Sequence, residues 1–355
     1  MNPRNHARGI VLLAAIALFL GGCANRPPHG GESAAARLEA QSVLRSVTTD
    51  RALEDRILAL DPDRISEDDL RDTLAKGPAP RIVLVHGGIF PVHLVMASTG
   101  RFLSGMGYPE NKIRHPGDGR WSHSPYENSA HIAGLVAWCY ERDGMRPMMI
   151  GHSQGGVQAV KVPYDLAGKF DNPIPVWNPY TDEAENRTTI VDPLSGIARP
   201  VVGLTMSHVS IVGAGGVAPL LPTQWNMVDK LRTIPDTVDD FTGLSIGLDL
   251  IAWTVPGVKE TAEYRHNGTA SVRSVGLPAS YNHMTLPIVG PLAGDKVARD
   301  RIESYVPDET TAAPPPETVG YGVLWAADVW HSVKKHWALE AQRLIRAKRA
   351  VLGPP

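Results

Sequence analysis

One pentapeptide constrains this chain more than any other segment: Gly151-His152-Ser153-Gln154-Gly155. The apolar stretch Met148–Ile150 precedes it, and Gly156–Val162, of helical character, follows it. A Gly-x-Ser-x-Gly turn between a strand and a helix strains the Ser backbone, and glycine on either side removes Cβ clashes. The helix that begins there turns its unsatisfied N–H groups toward the space beside the Ser hydroxyl. A turn of this kind needs a sheet whose strands alternate with helices.

The rest of the chain is patterned to match. Arg81-Ile-Val-Leu-Val85 is a continuous apolar run, as in a parallel strand covered on both faces. Helical spacing over 95–106 leads to a short strand expected at Lys112–His115. Ser129–Arg142 places Ile132, Leu135, Val136, Cys139 and Tyr140 on one helical face, and Gly144 ends it. Pro147–Ile150 is the next strand. Strand and helix alternating at this pitch predict an α/β fold with a mostly parallel central sheet covered by helices. With 355 residues, 43% of them hydrophobic and 20% charged, the chain has enough apolar mass for one large core. Lys and Arg number 35 against 37 acids, and this balance argues against a nucleic-acid partner.

Around this α/β core (81–355) the reading places further segments. A helical preface occupies 35–80, with a capping box expected at Ser66 and Asp69. A hairpin is expected over 187–202. The Gly- and Pro-rich stretch of about 213–240 reads as a small insertion that could act as a lid. Pro314-Pro315-Pro316 marks a loop before a final helix at about 324–349. On that helix Trp330, Val333, Trp337, Ala341 and Leu344 form one apolar stripe. Six basic residues oppose the single acid Glu340 over 330–349. The stripe is expected to pack on the sheet with its basic face solvated; the alternative lays the helix on anionic lipid.

The first residues read as an export signal. Arg4 and Arg8 precede the apolar run Ile10–Leu20, which is too short to span a bilayer, and small residues follow. Leu20-Gly21-Gly22-Cys23 resembles the lipobox of bacterial lipoproteins. That resemblance implies a signal peptide over 1–22, lipidation of Cys23 and a flexible tether over 23–34. The chain would then be exported and held to a membrane of the bacterial cell envelope, facing the periplasm or in the outer membrane. Acyl chains would anchor it by about 0.8 kcal/mol per buried CH₂. Ala24 gives no sign of inner-membrane retention. Cys139 is the only other cysteine, so no intramolecular disulfide is expected in the mature chain.

Val85-His86-Gly87-Gly88 closes an apolar strand upstream of the pentapeptide. Together, the His-Gly-Gly loop, the Ser153 turn and their spacing make residues 81 to about 300 resemble an α/β-hydrolase of the lipase and esterase kind. The resemblance implies Ser153 as nucleophile, with an acid and then a His following it in the chain. It also implies that the backbone N–H groups of Gly88 and Gln154 form an oxyanion hole, with Ile89 as the alternative first donor. For the base, His283 is favoured because it follows a strand-like segment, Ala270–Leu277, and a Pro-containing loop. His208 reads as a packed core residue, His266 as a turn residue, and His331 and His336 as part of a solvated helix face. Asp249 is favoured as the acid because it stands at the end of the strand read at 241–248. Asp239 and Asp240 would lie at its wrong end, and Glu260 and Glu263 stay open.

No His-Glu-x-x-His, cysteine cluster or Gly-x-Gly-x-x-Gly after a strand occurs, so no metal or other cofactor is expected. The expected activity is hydrolysis of a small-molecule or lipid carboxylic ester through an acyl-enzyme. The alternatives are acyl transfer or amide hydrolysis on the same residues, or a binding lipoprotein without turnover.

Overall fold

The apolar run at 82–85 is the first strand of a five-stranded, all-parallel sheet. In a computed structural model the described residues are 42–89, 92–215, 221–252, 263–307 and 322–353. The signal segment, Cys23, the tether, Glu260 and the Pro314–Pro316 loop lie outside them, as do 216–220 of the insertion. The strands are β1 (Ile82–Val85), β2 (Met148–His152), β3 (Met206–Val212), β4 (Val238–Ile246) and β5 (Ser271–Leu277), neighbouring one another in that order.

Alternation along the strands divides the core in two. Ile82, Leu84, Met148 and Ile150 face one layer, and Val83, Val85 and Met149 face the other. The helices before β1, α1 (Arg51–Ala59) and α2 (Glu67–Asp72), lie in the first layer with α3 (Val92–Gly105), α6 (Lys296–Glu303) and α7 (Val323–Leu352). The second layer holds α4 (Ser129–Asp143) and α5 (Gln154–Leu166). Local chemistry sets the helix ends: Ser66 and Asp69 form a reciprocal capping box on α2, and Gly144, at φ 67°, closes α4.

The strand expected at Lys112–His115 is absent from the described residues. Glu110–Lys112 is a 3₁₀ turn, and the place beside β1 is taken by His123, bridged in parallel to Val85. Polar residues at 116–120 leave too little apolar length to continue a strand. With His123 on one side of β1 and β2 on the other, the connections diverge between β1 and β2. Beyond the C-terminal ends of two such strands is where an open α/β sheet forms its crevice.

The stretch read as an insertion at about 213–240 lies between β3 and β4 and runs into β4. Residues 238–240 belong to β4, and the described part before them, 221–237, is the crossover from β3 to β4. Lys161 Nζ donates to Thr223 O (2.7 Å), Tyr164 Oη to Thr233 O (2.8 Å) and Thr237 Oγ1 to Pro163 O (2.5 Å). These bonds pin it to α5. The hairpin over 187–202 consists of strands Thr189–Val191 and Ala198–Pro200.

Most of the apolar stripe of α7 is packed on the sheet, namely Trp330, Val333, Trp337 and Ala341, while Leu344 packs with Leu44 and Met145; all five are 0% exposed. Trp337 Nε1 donates to Pro78 O (2.8 Å), and its ring meets Tyr108 edge to face. Most of the basic face is paired instead of solvated, contrary to expectation, Arg346 alone of its six cations being exposed. Lys334 pairs with Glu303 (2.5 Å), Lys335 with Asp63 (2.9 Å), Arg343 with Glu340 (2.8 Å), and Lys348 and Arg349 with Glu54 (2.7 and 2.8 Å). Most of these acids lie in or beside α1 and α6, so the row of cations clamps the preface to the last helix. His336 is buried there too. Among the described residues no helix is long and apolar enough to cross a membrane.

Candidate active site

Ser153 stands between β2 and α5 with φ 56° and ψ −125°, a region costly for any residue with a Cβ. The packing around it makes that conformation obligatory. Its N–H donates to Val212 O (2.8 Å) on β3. A Cβ at Gly155 would lie 2.3 Å from Val85 O, and one at Gly151 would lie 2.6 Å from Gly155 O. The two glycines let β1, β2 and α5 close to backbone distance, so the hydroxyl is held out over the crevice.

Two loops bring the other groups. Beyond β4, Asp249 is 3% exposed, and its Oδ1 accepts from the N–H groups of Ile251 (3.0 Å) and Ala252 (2.9 Å). Its Oδ2 accepts from Nδ1–H of His283 (2.6 Å), on the loop after β5. The opposite nitrogen of that ring, Nε2, lies 2.8 Å from Ser153 Oγ. Burial alone would raise the Asp249 carboxyl, but the His283 bond and the two backbone donors outweigh it and hold the group below the usual carboxylate range. The structure therefore joins Ser153, His283 and Asp249 in one hydrogen-bonded chain. This arrangement can draw the hydroxyl proton onto the imidazole while the carboxylate steadies the resulting cation.

Gln154 is the first residue of α5, where no intrahelical acceptor exists for its N–H. Gly88 follows β1 across the crevice. The Gln154 amide fills the space a Cβ at Gly88 would occupy, and Tyr126 Oη donates to Gly88 O (2.9 Å). The two expected donors thus come from adjacent segments. His86 lies beside them, its imidazole pushed below the ordinary value by burial, with Nδ1 donating to Gly87 O (2.8 Å). That bond ties the ring to its own loop.

The remaining histidines and acids lie elsewhere. His208 is buried in β3, and His266 is exposed in the short strand Arg265–His266. His331 and His336 are on α7, and Asp239 and Asp240 are at the far, N-terminal end of β4. Glu263 lies more than a strand length before His283.

Two contributors escaped the sequence reading. His152 is 1% exposed, and its Nε2–H donates to His283 O (2.8 Å), tying the loop to the turn. Burial holds this imidazole neutral, at about 3. Gly213, at φ 64°, passes under the His283 ring, where a Cβ would come within 2.8 Å of Cε1. Its position at the end of β3 was the available signal, but a glycine beside other glycines reads as loop.

No family model matches the chain, and no curated protein matches it. Among solved structures it superposes on a protein of unknown function from Agrobacterium tumefaciens, described provisionally as an alpha/beta hydrolase. The identity is 12% over 66% of this chain and 91% of that one, with a TM-score of 0.30. Agreement that weak carries no argument about what this chain does.

Proposed function

We propose that the chain is a serine hydrolase of the α/β-hydrolase kind that cleaves carboxylic esters in the bacterial envelope. The observation that carries this reading is the Ser153–His283–Asp249 chain at the N-terminus of α5, held by a strained Ser backbone. In this reading Ser153 Oγ attacks the ester carbonyl carbon as His283 Nε2 takes its proton. Asp249 keeps the Nδ1–H tautomer and stabilises the imidazolium. The N–H groups of Gly88 and Gln154 receive the developing oxyanion. His283 then gives its proton to the departing alcohol, and an acyl-Ser153 ester is left. Water, deprotonated by His283, attacks that ester and releases the acid.

The substrate side favours an apolar acyl group. Ile89 (59% exposed) follows Gly88, and Leu248 (51%) and Leu250 (79%) flank Asp249 on the loops that carry the site. Exposed apolar groups gathered on site loops suit a lipid-like ester.

A panel of p-nitrophenyl esters from short to long acyl chains, with fluorophosphonate labelling, tests the assignment. Ser153→Ala should lose the label and at least ~10⁴-fold in turnover with its fold intact. Near-wild-type esterase activity in that variant would overturn the reading, and so would a wild-type chain that neither labels nor turns over. Anchoring is tested separately. Cys23→Ser should leave the membrane fraction or stay unprocessed, and normal maturation with membrane retention would refute lipidation.

A further inference from the structure

At the end of the sheet opposite Ser153, three side chains from distant parts of the chain converge. His208 and Asp240 are register partners on the adjacent parallel strands β3 and β4, so their side chains share one face. His336 comes down on them from α7, its ring stacked on that of His208 with centroids 4.9 Å apart. One ligand atom from each residue lies within 4.8 Å of the other two. We infer that His208, Asp240 and His336 form a binding site for one divalent transition-metal ion of the zinc type.

Two buried nitrogens point to a ligand. His208 is 1% exposed and His336 3%, yet neither Nε2 has a hydrogen-bond partner among the described residues. A buried polar atom left in that state is costly, and so is rare unless something binds it. The tautomer of His208 is settled by its surroundings. Its Nδ1 lies 3.0 Å from Asp240 O, a carbonyl that can only accept, so Nδ1 carries the proton and Nε2 the lone pair. Metal-binding histidines are commonly oriented in this way, by a backbone carbonyl on the other ring nitrogen.

Spacing supports coordination over a simple His–Asp hydrogen bond. His336 Nε2 and Asp240 Oδ2 are 3.4 Å apart, long for a hydrogen bond. Two ligands on a tetrahedral ion with bonds of about 2.0–2.1 Å stand about 3.3 Å apart. A small swing of the His208 ring brings the third atom to the same centre. Two imidazoles and one carboxylate form a donor set suited to zinc, leaving the fourth position for water.

Charge does not oppose it. The nearby cations have their own acids: Lys335 lies 2.9 Å from Asp63 against 3.8 Å from Asp240, and Arg273 lies 2.6 Å from Asp328. Asp240 keeps its side chain 23% exposed, which gives an ion a route in. Such an ion would tie α7 to the middle of the sheet.

The test uses the untagged full-length protein, stripped with a chelator and titrated with Zn²⁺ or Co²⁺ alone. One ion per chain should bind and survive desalting. Co²⁺ should give the strong visible bands of a tetrahedral nitrogen and oxygen site, and Zn²⁺ should raise the melting temperature by several degrees. Asp240→Asn and His336→Gln should each weaken binding more than ~100-fold and abolish the shift. Circular dichroism checks that these variants fold; if one does not, the other carries the result. Wild-type protein that retains no ion, or binding that persists unchanged in a folded variant, overturns the inference.

Discussion

Strand β4 presents a carboxylate toward each end of the sheet, and each meets a histidine under different constraints. Beyond its C-terminal end, Asp249 is fixed by two backbone N–H groups and lies 2.6 Å from the imidazole it orients. Near its N-terminal end, Asp240 lies 3.4 Å from His336, and the third group there is an imidazole instead of a hydroxyl. Residue type therefore decides little. In the proposed reading, the tight carboxylate–imidazole bond ending on a hydroxyl moves a proton. The loose one, facing a second lone pair, is the one to which we assign a shared cation.

The sharpest way to break the contrast is to remove charge from the tight pair alone. Asp249→Asn keeps the shape but favours the wrong His283 tautomer. Turnover of a p-nitrophenyl ester should fall by ~10³–10⁴-fold, while the melting temperature stays near wild type. A drop of less than tenfold would move the acid role elsewhere.

A smaller effect, of the opposite kind, is expected at the covered end. Trp337→Ala empties the space between α7, Pro78 and Tyr108 and should cost about 3–5 kcal/mol of stability in urea denaturation. Labelling of Ser153 by a fluorophosphonate should persist wherever the variant is folded. Loss of labelling in folded protein would mean that the two ends are coupled.

The smallest effect concerns protons. His152 is neutral in the fold at about 3, against an ordinary 6.5. Between those values the unfolded chain binds a proton that the folded chain does not. Stability should therefore fall as pH drops below about 6.5, by up to about 1.4 kcal/mol per pH unit from this group. His152→Gln, which keeps a donor toward His283 O, should flatten the slope over that window in denaturant titrations at pH 7 and pH 5. An unchanged slope would show that His152 is protonated in the fold.

How much of this was legible in the chain depends on the range of the interaction involved. Strands β1 and β2 appear as short apolar runs because both faces are buried. The Ser153 turn appears because its glycines, strand and helix are neighbours in sequence. Asp249 and His283 were accessible through chain order and the resemblance to lipases and esterases, since each stands just past a strand. What stayed hidden depends on distant partners. The basic face of α7 reads as wet because Glu54 and Asp63, which hold Lys335, Lys348 and Arg349, lie far back in the helical preface. His208, Asp240 and His336 match no spacing motif, since their proximity exists only once β3, β4 and α7 have packed. The missing strand at Lys112–His115 is an error of local reading, in which a few apolar residues beside a polar loop were given too much weight.

The clamp between α1 and α7 also bears on how the chain reaches this state. Gln342 donates to the carbonyls of Ile57 and Leu60, and Lys348 and Arg349 grip Glu54, at sequence separations of 282 to 295. Contacts this distant form slowly, because a long loop must close before any of them contributes. The layer that holds α3, α6 and α7 cannot be completed until Val323–Leu352 has been synthesised. A growing chain therefore carries β1 and β2 with one face only partly covered, by α1, α2 and α3, and it stays open to handling by other proteins until α7 arrives. Removing that helix would take the three buried tryptophans Trp325, Trp330 and Trp337 out of that layer and leave it incomplete.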